Sequence, residues 1–301
     1  MEIPTKKLKN GFELPVYGLG LWQMGGRAES DNSQDDQEIK AIQSAMANGI
    51  THFDAAESYG NGHAEELLGM AMRDFDRDML FIASKVSAWN QGYNDLKKSF
   101  ETTLKHLGTD YLDLYLLHRY PIPGIPIEET MEAMDELIAE GLVKNIGVCN
   151  LSVNRFKEAQ KHTRNKIVCN QVHYNVQYRE VEHRRVLEYC QENDVMLVAW
   201  RPLQKGNLLP PAPLISELAE KYGKTPAQIM IDWLISQDNV VTISKTSNML
   251  HLKDNLGAIG WNMEKEDVER IRAEYPDQQE ASDAVPMDFA ADVAVQAAFP
   301  T

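Results

Sequence analysis

Cysteine is scarce in this 301-residue sequence: Cys149, Cys169 and Cys190 are an odd number and form no CxxC pair. That excludes a disulfide framework and gives no metal-site spacing, so no metal is expected and a reducing compartment fits best. Long apolar runs are missing too. None approaches the ~20 residues that a bilayer-spanning helix requires, so no membrane partner is expected. Positive charge is in short supply, with 30 Lys and Arg against 45 Asp and Glu and a formal net charge of -15. A protein that grips nucleic acid needs a basic face, so that class of partner is excluded. Met1-Glu2-Ile3-Pro4 lacks the basic-then-apolar profile of a secretory leader. The expectation is a soluble cytoplasmic protein. Linkers, low-complexity segments and internal repeats are also wanting, so residues 1–301 are read as one domain.

What is present has a clear rhythm. Residues 1–15 read as a hairpin, with Asn10-Gly11 as a two-residue type I′ turn, because both turn positions need positive φ. Strand candidates then follow at 16–22, 50–54, 79–84, 112–117, 145–148, 167–171, 195–200 and 240–243. Most are short apolar runs, such as Leu114-Tyr115-Leu116-Leu117, the pattern of strands covered on both faces. Between them lie helical stripes: Leu96, Phe100, Leu104 and Leu107, then Met131, Met134 and Ile138. Ser152 and Thr225-Pro226 mark helix starts, and Gly49, Gly108 and Gly141 mark stops. This alternation predicts a (β/α)₈ TIM barrel. A doubly wound sheet is the alternative, but Gly18-Leu19-Gly20-Leu21-Trp22-Gln23 lacks the third glycine of a dinucleotide fingerprint. From residue 275 to 301 regularity fades, and this tail is expected to lie over one end of the barrel.

In such a barrel, reactive groups project from the C-terminal ends of strands. Asp54, Lys85 and His118 each close a strand candidate, and Tyr59 follows Asp54 in the next loop. Taken singly, each has an ordinary explanation as a helix cap, an ion pair or packing. Together they describe a tuned general acid. A phenol with a reference pKa near ~10 delivers a proton while un-ionised. A neighbouring ammonium favours the phenolate, and a carboxylate keeps that ammonium charged.

The segment Gly49-Ile50-Thr51-His52-Phe53-Asp54-Ala55-Ala56-Glu57-Ser58-Tyr59-Gly60 resembles the aldo-keto reductase signature G-x-x-x-[FIL]-D-[ST]-A-x-x-Y-G, with Ala55 as the mismatch. The resemblance continues through Ala83-Ser84-Lys85, Asp113 to His118, Lys144 to Asn150 and Asn170 to Asn175, covering roughly residues 5–260. It implies a (β/α)₈ barrel whose bottom is closed by an N-terminal hairpin. It also implies a nicotinamide-dependent reductase of aldehydes or ketones: Tyr59 as proton donor, Lys85 lowering its pKa, Asp54 paired with Lys85, and His118 positioning the substrate oxygen. Asn150 and Gln171 would hold the carboxamide of the nicotinamide, Trp200 would stack on its ring, and Trp22 and Trp89 would wall the substrate pocket, with Trp22 also touching the cofactor.

Two stretches depart from the family pattern. The run A-[YF]-S-P-L-G reads Ala199-Trp200-Arg201-Pro202-Leu203-Gln204, where Arg201 and Leu203 fall in the loop over the cofactor's pyrophosphate. The run I-P-K-S…R-x-x-E-N reads Ile243-Ser244-Lys245-Thr246 and then His251-Leu252-Lys253-Asp254-Asn255. Lys245 and Thr246 would grip the 2′-phosphate of NADP, His251 stands where Arg completes that grip, and Lys253 would compensate. Asp254 and Asn255 would contact the adenine. NADPH is the expected cofactor, with NADH as the alternative, and the partner is a small-molecule carbonyl substrate. With no coiled-coil seam, a monomer or small oligomer is expected. Two rival readings are a non-catalytic cofactor-binding regulatory subunit and a barrel lyase whose Lys85 forms a Schiff base.

Overall fold

A computed structural model of the chain describes residues 2–204, 213–277, 282–284 and 286–288. The chain opens with a hairpin of β1 (Thr5–Lys7) and β2 (Glu13–Pro15), paired antiparallel with Lys7 opposite Glu13. The turn differs from the two-residue type I′ form. Leu8 N–H donates to Phe12 O, Gly11 N–H donates to Leu8 O, and only Gly11 of the pair has positive φ, at +93°. Three residues therefore close the loop, with the left-handed position given to glycine. Asn10 serves with its side chain, accepting from Phe12 N–H at 3.1 Å.

Eight parallel strands close into a barrel: β3 (Tyr17–Gly20), β4 (His52–Asp54), β5 (Phe81–Val86), β6 (Leu114–Leu117), β7 (Ile146–Cys149), β8 (Ile167–His173), β9 (Met196–Trp200) and β10 (Val240–Ser244), with β10 pairing back onto β3. The helices that alternate with them are α1 (Asp35–Ala47), α2 (His63–Ala71), α3 (Tyr93–Leu107), α4 (Ile127–Ala139), α5 (Val153–Lys161), α6 (Glu180–His183), α7 (Val186–Glu192), α8 (Pro213–Tyr222), α9 (Pro226–Ile235), α10 (Met249–Leu256) and α11 (Lys265–Glu274). Among the described residues no helix is long and apolar enough to cross a membrane. The doubly wound alternative is thereby replaced by the barrel.

The helix signals act as their chemistry dictates. In α3 the stripe Leu96, Phe100 and Leu107 is buried, and Gly108 ends the helix in a left-handed turn whose N–H caps Leu104 O. Thr225 makes a full capping box with Gln228, with Pro226 at the first helical position. Ser152 stands at the start of α5 without a side-chain cap; its N–H instead donates to Asp288 in the C-terminal segment at 2.9 Å.

Two apolar layers follow from strand alternation. Outward residues such as Ile82, Tyr115 and Leu117 pack under the helices. Inward residues Ala83, Leu114, Leu116, Cys169, Met196, Val198 and Val241 fill the lumen together with Leu8, Phe12 and Leu14 of the hairpin. Phe12 meets Phe81, the first residue of β5, edge to face at 6.0 Å. The hairpin thus plugs the end where the strands begin, and the opposite rim is left for chemistry.

Candidate active site

Alternation also selects what faces the rim. Counting in twos along each strand, the inward positions run His52 and Asp54 on β4; Phe81, Ala83 and Lys85 on β5; Cys169, Gln171 and His173 on β8; Met196, Val198 and Trp200 on β9. The apolar members fill the lumen, and the polar or aromatic member at each strand's C-terminal end is delivered to one face. His118, one residue beyond β6 and two beyond Leu116, joins them, its N–H tied to Val86 O.

Lys85 is the centre of the cluster. Its side chain is fully buried, and Nζ donates to Asp54 Oδ2 at 2.6 Å, to Ala55 O at 2.7 Å and to the Tyr59 hydroxyl at 3.1 Å. Three N–H donors find three acceptors, which is what allows a buried ammonium to persist. Burial alone would lower the Lys85 pKa, but the Asp54 carboxylate and Tyr59 oxygen reverse this and hold it above its ordinary value. The Tyr59 phenol is raised on balance: burial raises it, and the Lys85 charge pulls in the opposite direction. His118 lies edge-on to Tyr59 at 5.6 Å, and its Nδ1 is 3.4 Å from Ser58 Oγ. Burial first, then the charges of Lys85 and Arg119, hold its imidazole well below the usual pKa and therefore neutral at pH 7.

The loop carrying Tyr59 is fixed by its neighbours. Gly60 has φ +56°, its N–H donates to Arg27 O, and a Cβ there would meet Gly25 O at 2.2 Å. The glycine after the tyrosine is thus required by close backbone contact with the loop after β3. On the other side, Glu57 accepts from Ser87 N–H at 2.6 Å and Asn90 Nδ2 at 3.0 Å, linking this loop to the one bearing Trp89. Trp89 is exposed, and Trp22 lies half-buried just beyond β3.

Asn150 and Trp200 meet directly. Asn150 has φ +60°; its Oδ1 accepts from Trp200 Nε1 at 3.2 Å, and its Nδ2 donates to His118 O at 3.3 Å. Trp200 stacks on His173 at 4.4 Å and 13°. Gln171 donates Nε2 to Asp54 Oδ1 at 2.8 Å, and its Oε1 receives the Cys149 thiol at 3.8 Å. Arg201, with φ +56°, places its guanidinium 5.2 Å from the Trp22 ring and 5.3 Å from the Trp200 ring. Leu203 packs half-buried against the outer core.

The proposed phosphate residues sit further out. Lys245 is exposed just past β10, while Thr246 hydrogen-bonds Asn248 at the start of α10. His251 and Lys253 are exposed on α10, but two residues apart they point about 200° from one another, so Lys253 cannot share the face of His251. Asp254 accepts from Thr225 and Gln228, both at 3.0 Å, and Asn255 is buried, its amide donating to Tyr17 and Ser244. These bonds fasten α10 to the start of α9 through Asp254 and to the barrel through Asn255.

Sequence reasoning passed over His173, Ser58 and Glu57. His173 had a signal, since it is two residues beyond Gln171 on the same strand and must share its face. Ser58 and Glu57 had none beyond their place in the Tyr59 loop.

Comparison with known proteins bears on the whole chain. The family model described as "Aldo/keto reductase family" matches residues 17–275. The methylglyoxal reductase YeaE of Escherichia coli is 34% identical over 268 residues, covering 87% of this chain and 92% of that protein. The glyoxal reductase of Bacillus subtilis is 33% identical over 278 residues, covering 91% of this chain and 94% of that one. Among solved structures, a thermostable aldo-keto reductase in complex with epalrestat superposes with a TM-score of 0.86 at 42% identity, covering 90% of this chain and 99% of its own. An aldo-keto reductase from Klebsiella pneumoniae in complex with NADPH gives 0.82 at 32% identity, covering 95% and 100%.

Proposed function

The chain belongs to the aldo/keto reductase family, and from that premise we propose that it reduces small aldehydes, α-dicarbonyls such as methylglyoxal among them, with NADPH as hydride donor and Tyr59 as proton donor. The observation that carries the reading is Lys85 Nζ held between Asp54 Oδ2 and the Tyr59 hydroxyl at 2.6 and 3.1 Å.

The residues present fit a nicotinamide cofactor. Trp200 offers a flat, half-buried indole backed by His173, beside the amide of Asn150 and within the same rim as Tyr59 and His118. Trp200 would stack on the nicotinamide, Asn150 and Gln171 would meet its carboxamide, and Arg201 and Leu203 would lie along the pyrophosphate. Lys245, Thr246 and His251 would meet the 2′-phosphate. When bound, the cofactor supplies the hydride. Tyr59 then delivers a proton to the carbonyl oxygen, with the nearby ammonium stabilising the phenolate left behind. His118, neutral, hydrogen-bonds the same oxygen and orients it. Trp22 and Trp89 flank the entry as apolar walls.

The Schiff-base alternative needs a free neutral amine, and Lys85 has all three donors engaged and a raised pKa. Relatives named for methylglyoxal and glyoxal reduction support the choice of small aldehydes as substrates. Replacing Tyr59 with Phe should lower kcat for methylglyoxal about 10²- to 10⁴-fold while NADPH still quenches tryptophan fluorescence. Turnover within a few-fold of the wild type would overturn the assignment of Tyr59.

A further inference from the structure

Arg201 combines three features that its partner does not share. Its backbone is left-handed, at φ +56°, and pinned there by Asn175 Nδ2 and Gln204 N–H, which both donate to its carbonyl. Its side chain is only 15% exposed and lies against two indoles, Trp22 and Trp200. Trp200 is itself fixed by Asn150 and His173, so the guanidinium is set at the rim by rigid neighbours. Left-handed backbone in a bulky residue is costly and persists where the surroundings over-determine it, which happens most often at ligand sites. A guanidinium between aromatic rings is weakly hydrated and keeps its fork of donors for an oxyanion.

The oxyanion it meets in this structure belongs to the chain itself. Asp283 Oδ1 accepts from Arg201, and the Asp283 side chain is 68% exposed. This carboxylate is brought there by its own segment. Ser282 Oγ lies 3.3 Å from His173 Nδ1, beneath Trp200, and Asp288 is held by Ser152 N–H at 2.9 Å and Arg184 at 2.8 Å. The pair therefore joins a largely enclosed, preorganised cation to an exposed, replaceable anion. Surface partners of this kind contribute little and are screened by salt, so a ligand oxyanion can displace Asp283.

We propose that Arg201 is the anion-recognition residue at the rim of this site and that Asp283 is a built-in competitor for it. The inference rests on the reading of the site as a nicotinamide-dependent reductase and adds a control on what enters. The oxyanion has two possible sources, the diphosphate of the cofactor or a carboxylate on the substrate, and they are separable. Removing Asp283 strengthens binding of the oxyanion-bearing ligand, removing Arg201 weakens it, and a neutral substrate responds to neither.

The test uses the full-length enzyme with two readouts. One is the NADPH dissociation constant from quenching of tryptophan fluorescence. The other is the ratio of KM for 4-carboxybenzaldehyde to KM for 4-methylbenzaldehyde at saturating NADPH. In Asp283→Asn, about a threefold or greater fall in the NADPH constant assigns the site to the diphosphate, and a similar fall in the KM ratio assigns it to substrate carboxylate. Arg201→Gln should move the same readout the other way, and adding Asp283→Asn to it should change nothing further. If Arg201→Gln does not fold, Arg201→Lys keeps the charge but loses the fork, and gives a smaller change of the same sign. The proposal is overturned if Asp283→Asn leaves both readouts unchanged, if it moves the two aldehydes alike, or if it acts equally with and without Arg201. Failure of the reductase reading is seen earlier, as a wild-type protein that neither binds NADPH nor turns over 4-methylbenzaldehyde.

Discussion

Gln171 on β8 donates to Asp54 on β4 at 2.8 Å across the full width of the barrel, since the two strands stand four places apart in a ring of eight. Asp54 thus has one oxygen on Lys85 and the other on Gln171, and its carboxylate is fixed in orientation from both sides. Lys85 inherits that rigidity, and through it so does the Tyr59 hydroxyl.

This bond separates two roles for Gln171. A residue that only held the nicotinamide carboxamide would leave the stability of the unliganded protein unchanged. Gln171→Met leaves a buried carboxylate oxygen without its donor and should cost about 1.5–3 kcal/mol in urea denaturation of the cofactor-free enzyme. A midpoint equal to that of the wild type would refute the bracing role and leave Gln171 to the cofactor alone.

The Asp54–Lys85 pair gives a prediction with a defined sign. Asp54 is what outweighs burial and keeps the Lys85 ammonium protonated. In Asp54→Asn burial prevails, Lys85 gives up its proton more readily, and Tyr59 loses the charge that pulls its pKa down, a larger effect than the upward pull of Asp54 that is lost with it. In the proposed mechanism alcohol oxidation would use Tyr59 as the base, so its rate should climb with pH through the phenol's titration. That ascending limb should move to higher pH in Asp54→Asn. The raised Lys85 pKa also contributes stability below the amine's unfolded pKa of about 10.4, lost as pH rises through the higher folded value. The variant should therefore be about 3–5 kcal/mol less stable at pH 7, the cost of leaving one partner of a buried pair. An unmoved limb would show that the pair does not tune Tyr59.

Much of this arrangement was legible before the structure was known, and the reasons are particular. Asp54, Lys85 and His118 each end an apolar run, and a barrel places strand ends on one rim, so the run lengths alone bring them together. Gln171 and Trp200 follow by the same parity. What the sequence does not contain is the direction of a hydrogen bond across the lumen. Nothing local to Gln171 indicates Asp54, 117 positions away, as its partner. Asn255 shows the same limit: nothing local to it indicates that its amide donates to Tyr17, 238 positions away, as well as to Ser244. The hairpin turn was misjudged because Asn-Gly suits a two-residue turn as well as the wider one, and the choice was made by the register of Lys7 with Glu13.

The hairpin offers a prediction about stability without activity. Phe12 is buried against Phe81 at the end of the barrel opposite Tyr59. Phe12→Ala should cost about 3–5 kcal/mol through lost burial and the cavity left behind. Because no catalytic group touches that end, kcat at a temperature where the variant is folded should stay within about twofold of the wild type. A large loss of kcat with little loss of stability would mean that the plug shapes the site at the far rim.

On the proposed reading, cofactor choice turns on α10. His251 is exposed there, and an imidazole lacks the paired, forked donors of a guanidinium. Lys253 cannot make up the difference, because helical geometry turns it to another face. On the proposed reading the 2′-phosphate would then rest mainly on Lys245 and Thr246, just past β10, with only an imidazole from α10. His251→Arg restores a bidentate partner and should tighten NADPH by roughly fivefold, about 1 kcal/mol for an exposed charge-assisted contact. NADH carries no 2′-phosphate, so its dissociation constant should not move. Tightening of both cofactors together would place Arg at a general anion contact, and no tightening of either would mean that this face of α10 lies away from the phosphate.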